Sequence, residues 1–245
     1  MYGTNPVAKS RSLNELFQVH SMFYTIQGEG PFAGTPAVFL RMGGCNLRCF
    51  WCDTEFDEGV KAYDLQELCD QLQALCDQSS CSFVVITGGE PMLQPIGAIM
   101  RRLDQLTFQV ETAGTVWPVG GLITDGRLSV VCSPKTGKLS NTLEAWGLVH
   151  GELYWKYIIS WQEAVGEATG LPIWSTQVKG ARVELARPPA TILLNQHLCA
   201  KHVFVQGRDE GPVDDSQLNM LYAAEIAMKY GFRFSLQQHK IIDVD

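Results

Sequence analysis

Three cysteines, Cys45, Cys49 and Cys52, stand within eight residues at the spacing C-x3-C-x2-C. Thiolates this close together can grip three corners of a cubic iron–sulfur cluster, because cluster ligation needs soft, deprotonated sulfur. The fourth iron then has no local protein ligand, and an open metal position can bind a substrate, as that of a catalytic zinc does. The alternatives are a zinc loop or three buried thiols. Structural zinc closes with four ligands, and Cys69, Cys81 and His20 lie at no familiar zinc spacing from the trio. Cys69 and Cys76, seven apart on a leucine-striped stretch, read as core or surface thiols.

A second group is Thr87-Gly88-Gly89-Glu90-Pro91, which ends the apolar run Phe83–Thr87. Such a run reads as a strand buried on both faces of a parallel sheet. In parallel α/β folds, sites lie outside the carboxyl ends of the strands. Two glycines let the backbone approach a ligand closely, and a carboxylate there can receive an ammonium group. Standing alone, the segment would be an ordinary capped strand-to-helix turn.

The elements that must position these groups follow from periodicity. Residues 19–26, 37–42, 83–87, 108–112, 129–132, 154–159, 202–205 and 232–236 read as strands. Gln27-Gly28-Glu29-Gly30-Pro31 must turn. Leucines at 65, 68, 72 and 75 predict an amphipathic helix over 64–75. Residues 95–106 and 214–230 read as further helices, the latter with Leu218, Leu221, Tyr222, Ile226 and Met228 on its buried side. Strand–helix alternation argues a mostly parallel sheet with right-handed crossovers, open or barrel-like.

A chain of 245 residues that is 46% hydrophobic can bury one sizeable core, so 1–245 is read as a single domain. Residues 1–12 read as a loose leader, and 160–200 as an insertion or lid. No signal-peptide or membrane-spanning pattern is visible. A net charge of −7 without a lysine–arginine run argues against nucleic acid and for a small-molecule substrate. Eight cysteines, three at ligand spacing, fit a reducing cytoplasm better than a disulfide framework.

The cysteine trio, with Trp51 just before its last member, resembles the radical S-adenosylmethionine (SAM) superfamily, and the Gly88-to-Pro91 turn resembles that superfamily's GGEP motif. The ordered set is more specific. It comprises Gln27-Gly28-Glu29-Gly30, Phe39-Leu40-Arg41, Cys52-Asp53-Thr54, Val110-Glu111-Thr112, Ser133-Pro134-Lys135 and Leu236-Gln237-Gln238-His239-Lys240. Together these resemble the 7-carboxy-7-deazaguanine synthases of queuosine and deazapurine biosynthesis, over about residues 17–157 and 202–245.

That resemblance implies a radical SAM lyase on a partial, distorted β/α barrel of mostly parallel strands. Its 4Fe–4S cluster would sit on Cys45, Cys49 and Cys52. SAM cleavage to a 5′-deoxyadenosyl radical would convert 6-carboxy-5,6,7,8-tetrahydropterin to 7-carboxy-7-deazaguanine with loss of ammonia. The implied SAM contacts are Gly89, Glu90, Ser133, Pro134, Lys135, Gln206 and Asp209. The implied pterin contacts are Ile26, Gln27, Gly28, Arg41, Thr87, His239 and the terminal Asp245, the last predicting sensitivity to C-terminal tags. Thr54 would coordinate Mg2+. Glu29 is either an acid supporting the pterin contacts or a turn carboxylate. A homodimer, a flavodoxin- or ferredoxin-type reductant, a cytoplasmic setting and no nucleic-acid or membrane partner complete the expectation.

One stretch departs from the pattern. Where the family often reads Val-Gln-Pro, this chain has Val205-Gln206-Gly207, followed by Arg208-Asp209. Two other classes compete. A radical SAM activase of a partner protein would lack the Gln27–Gly30 turn and the Gln-His-Lys ending. A non-catalytic iron–sulfur carrier or zinc-stapled module leaves the GGEP turn unexplained.

Overall fold

The computed structural model describes residues 16–150, 152–163, 165–173, 185, 202–210 and 213–244. The leader, most of the 160–200 segment and Asp245 lie outside the described residues. Nine strands are present among them: β1 (Phe17–Gln27), β2 (Thr35–Met42), β3 (Lys61–Tyr63), β4 (Phe83–Gly88), β5 (Thr107–Thr112), β6 (Leu128–Cys132), β7 (Leu153–Ile159), β8 (Val203–Gly207) and β9 (Arg233–Ser235). The helices are α1 (Leu65–Ser79), α2 (Gly97–Arg102), α3 (Asn141–His150), α4 (Val213–Tyr230) and α5 (Gln238–Ile242).

The strands form one sheet in the order β3-β1-β2-β4-β5-β6-β7-β8-β9. β1 runs antiparallel to both neighbours, and every pair from β2·β4 to β8·β9 is parallel. The parallel strands read as apolar runs because both faces are covered: Val84, Val85 and Ile86 are wholly buried, as is every residue of β6 and β8.

The sheet does not close, since β3 and β9 lie at opposite edges. It is nevertheless strongly curved. β1 and β9 are seven strand steps apart, about 34 Å in a flat sheet. Yet Gly30 N, just after β1, donates to Ser235 Oγ in β9 at 3.0 Å. Gln238 N likewise donates to Gly28 O at 3.1 Å. A sheet bent this far is the expected partial barrel, and its curvature gathers the carboxyl ends of the strands around one cleft.

The outer helices differ from expectation in two places. The helix expected over 95–106 is only Gly97–Arg102, preceded by a 3-10 turn at Pro91–Leu93. Its last carbonyls are capped by Arg127, which donates to Met100, Leu103 and Leu106 O at 3.0–3.4 Å. α4 is rotated from the face predicted. Ile226 is buried and Tyr222 packs against the core as expected, but Leu218, Leu221 and Met228 are exposed, whereas Asn219, Ala223 and Ala227 are buried. The reason is a close approach: a Cβ on Gly207 of β8 would lie 2.6 Å from Met220 N. Only the small-residue face fits against the strand.

Candidate active site

Two turns at the ends of neighbouring strands form the floor of the cleft. β2 and β4 pair in parallel with Met42 opposite Gly88, so both chains leave the sheet at the same level. Their turns are locked through the backbone: Gly89 N donates to Met42 O at 3.1 Å, and Glu90 N to Gly44 O at 2.9 Å. The contact tolerates no side chain, because a Cβ on Gly89 would stand 2.1 Å from Gly44 O. Gly88 adopts φ +117°, a conformation for glycine.

The cysteine turn is held in part through its backbone. Leu47 N points to Cys45 Sγ at 3.4 Å, Cys52 N donates to Cys49 O at 3.2 Å, and Gly44 N donates to Phe56 O at 3.1 Å. Burial pushes the Cys45 thiol up to about 12 and raises Cys52 as well. A thiol in this setting ionises when a metal takes it, since a coordinating thiol is deprotonated outright. Each cysteine of a cubic cluster takes a different iron, whereas structural zinc closes with four ligands around one ion. The surroundings suit a bound cofactor: the Trp51 Nε1–H is buried in the cleft wall without an acceptor.

The cleft above these turns has a volume of about 540 Å3 and is lined by all three cysteines. Of the predicted SAM residues, Gly89, Ser133, Lys135, Gln206 and Asp209 line it. Lys135 Nζ donates to Ser133 Oγ at 2.7 Å and lies 4.6 Å from the Trp51 ring centroid. Burial lowers the Lys135 pKa. Pro134 is not part of the wall.

Glu90 points the other way. It is wholly buried, and its carboxylate accepts from Met92 N (3.0 Å), Thr112 Oγ1 (2.8 Å) and Ala113 N (2.8 Å). Burial pushes its carboxyl up despite these donors. The side chain thus ties the ends of β4 and β5 together beneath the floor.

Of the predicted pterin residues, Ile26, Gln27, Arg41, Thr87 and His239 line the cleft. Gly28 stands behind His239, where a Cβ would be 2.2 Å from its Nδ1. Burial lowers the His239 pKa. Arg41 lies with its guanidinium 5.1 Å from the Phe23 ring centroid. Thr54, the expected magnesium ligand, also lines the cleft, and its hydroxyl donates to Asp53 Oδ1 at 3.4 Å. Lys240 of α5 bridges Asp53 (2.6 Å) and Asp209 (2.5 Å), clasping the C-terminal segment to the cysteine turn.

Two residues in this wall carry more than their sequence roles indicated. Glu111 is a hub: it accepts from Gln27 Nε2 (3.0 Å), Gln109 Nε2 (2.9 Å) and Thr87 Oγ1 (3.1 Å). Lys156 of β7 forms a buried ion pair with Glu29, which also accepts from Gln237 Nε2 at 2.7 Å. Glu29 is therefore a cleft residue with a fixed charge partner rather than a turn carboxylate.

Comparison with known proteins agrees with this geometry. Residues 39–133 match the Radical SAM superfamily. The 7-carboxy-7-deazaguanine synthase of Rhodospirillum rubrum is 38% identical over 258 residues, covering all of both chains. That of Rickettsia prowazekii is 33% identical over 252 residues, spanning all of this chain and 96% of its own. Among solved structures, QueE from Escherichia coli shares the fold, with a TM-score of 0.58 and 22% identity over 92% of this chain and 96% of that one. Full-length identity at this level means that the chain belongs to the 7-carboxy-7-deazaguanine synthase family of radical SAM proteins.

Proposed function

We propose that this protein converts 6-carboxy-5,6,7,8-tetrahydropterin to 7-carboxy-7-deazaguanine. The observation that carries the proposal is the backbone lock between the cysteine turn and the Gly88–Glu90 turn, which opens both onto one polar cleft. When bound, a 4Fe–4S cluster and SAM supply the radical that starts the ring contraction, from which ammonia is lost.

The chain's own residues bind, orient and exclude water. Cys45, Cys49 and Cys52 hold the cluster, and the side-chain-free Gly88-Gly89 backbone lets SAM approach it. Lys135 and Ser133 receive the SAM carboxylate, with Gln206 and Asp209 across the cleft. Glu90 acts indirectly, by holding its own turn rather than by meeting the SAM ammonium. Arg41 meets the pterin carboxylate with its planar fork. Glu111, presented by Gln27 and Thr87, offers acceptors to the N–H donors of the pterin's aminopyrimidinone edge. Ile26, Gly28 and His239 complete the pocket, and Thr54 binds Mg2+ beside the substrate. A cleft of about 540 Å3 lies in the range of small-molecule sites, which favours a pterin over the protein substrate of an activase. A homodimer, a flavodoxin- or ferredoxin-type reductant, a cytoplasmic setting and a role in queuosine biosynthesis belong to the same reading.

The test is an anaerobic incubation of reconstituted protein with dithionite, SAM, magnesium and the tetrahydropterin, read by mass spectrometry. Formation of 7-carboxy-7-deazaguanine is expected. Deoxyadenosine without that product would move the question to the substrate. Neither species, from protein with a full cluster, would sink the proposal.

A further inference from the structure

The two aromatic residues of the cysteine turn are each covered by a cation. Lys135 covers Trp51 on the cleft side. Phe50 does not line the cleft, and over its ring lies Arg208, with Cζ 5.4 Å from the centroid. Arg208 is 6% exposed. Its Nε and Nη2 donate to Glu210 Oε1 at 2.9 and 2.6 Å, and its Nη1 to Glu163 Oε1 at 2.5 Å. A guanidinium can do both at once, because its face stacks on a ring while its N–H groups bond from the edge.

The backbone of Arg208 is held as firmly. Its N–H donates to Ile159 O at 2.8 Å, and its carbonyl accepts from Asn219 Nδ2 at 2.8 Å. Asn219 is wholly buried on α4 and also accepts from Trp161 N at 2.8 Å. This arrangement depends on Gly207: a Cβ there would lie 2.7 Å from Asn219 C. Four segments therefore meet at Arg208: the chain after β7, the end of β8 and the cysteine turn at its guanidinium, and helix α4 at its backbone.

We propose that Arg208 is a positioning residue for the cluster. By lying over Phe50, between Cys49 and Cys52, it fixes the cysteine turn from the side away from the cleft. It also anchors that turn to α4 and to residues 160–163. The inference rests on the reading that the three cysteines hold a cluster.

A double-mutant cycle tests it on reconstituted holoprotein, with wild type, Phe50→Leu, Arg208→Lys and the double variant. The readouts are the rate of iron release to a ferrous chelator and the electron paramagnetic resonance spectrum of the reduced cluster with and without SAM. Phe50→Leu keeps every charge and removes only the ring; Arg208→Lys keeps the charge and loses the fork. A desolvated cation–π contact predicts iron release roughly 5- to 30-fold faster in each single variant. The double variant should be no faster than either, with altered line shapes in all three. Rate factors that multiply in the double variant would overturn the inference, as would Phe50→Leu releasing iron at the wild-type rate, whether or not the arginine variant folds. A wild-type protein that takes up no iron overturns the cluster reading and this inference with it. Loaded wild type with multiplying factors overturns the inference alone.

Discussion

Replacing Lys156 by methionine keeps its bulk and removes one charge of the buried pair with Glu29. The two side chains are 8% and 13% exposed. Burial pushes the Glu29 carboxyl up, but Lys156, Gln237 and His239 outweigh it and hold the group well below the usual range. Burial pulls Lys156 down, but Glu29 and Glu111 outweigh it and hold the ammonium above its usual range. The Glu29 contribution to stability is thus present above its ordinary value of 4.5 and lost as pH falls through the lower folded value. The Lys156 contribution is present below 10.5 and lost as pH rises through the higher folded value. Both operate together at neutral pH. Breaking a buried pair from one side costs roughly 3–5 kcal/mol, and the lower end applies here because the pair fronts a water-accessible cleft. For a chain of this size that lowers Tm by about 6–12 °C. In Lys156→Met burial dominates at Glu29, so the deficit shrinks as pH falls and the carboxyl takes a proton. Glu29→Gln combined with Lys156→Met should regain most of the loss, since neutral replacement of both partners is nearly neutral. Anaerobic thermal melts at pH 5 and pH 7.5 read both effects. A single variant melting within about 2 °C of wild type at pH 7.5, or a double variant no better than the single, would refute the reasoning.

Three further outcomes are expected. Gly89→Ala must part the two floor turns, because its Cβ would meet Gly44 O at 2.1 Å; kcat/KM should fall roughly 100-fold, as for a misplacement of about 1 Å. Gly28→Ala displaces His239, whose Nδ1 would be 2.2 Å away; KM for the pterin should rise roughly fivefold, the value of one hydrogen bond, with KM for SAM unchanged. Asp64→Ala removes the N-cap of α1, where Oδ1 accepts from Glu67 N at 2.8 Å; it should cost about 1 kcal/mol, or about 2–4 °C in Tm, with iron content unchanged.

The parallel core was readable because strands covered on both faces consist mostly of apolar residues, as β4, β6 and β8 do. The face of α4 was not. Leu218, Leu221 and Met228 make a good helical stripe, and periodicity favours large apolar side chains. What decides the matter is the distance to β8, which admits only Asn219, Ala223 and Ala227 and which depends on a glycine in another element. β3, α3 and α5 were missed for related reasons. β3 has three residues, α5 has five, and α3 carries Gly147 because a Cβ there would strike the Leu153 side chain at 2.3 Å. Lys156 left a signal that could have been used, a lone charge within the otherwise uncharged run Leu153–Ile159. A cation inside a strand buried on both faces requires a partner, although nothing local names Glu29.

The two floor turns were legible because their juxtaposition is a property of adjacent strands. Parallel pairing of β2 with β4 places Met42 level with Gly88, so residues a few positions past each strand end must meet. The meeting is made by backbone groups of Met42, Gly44, Gly89 and Glu90, and the three cysteine side chains line the cleft above it. Side-chain roles behind that floor follow a different logic. A carboxylate at a strand end can face the ligand or turn inward, and Glu90 turns inward because Met92 N, Thr112 Oγ1 and Ala113 N await it there. Glu111, one strand over, reaches the cleft, drawn by Gln27 and Thr87. Both glutamates stand in recognisable motifs, and only the donors around each decide which one faces the cleft.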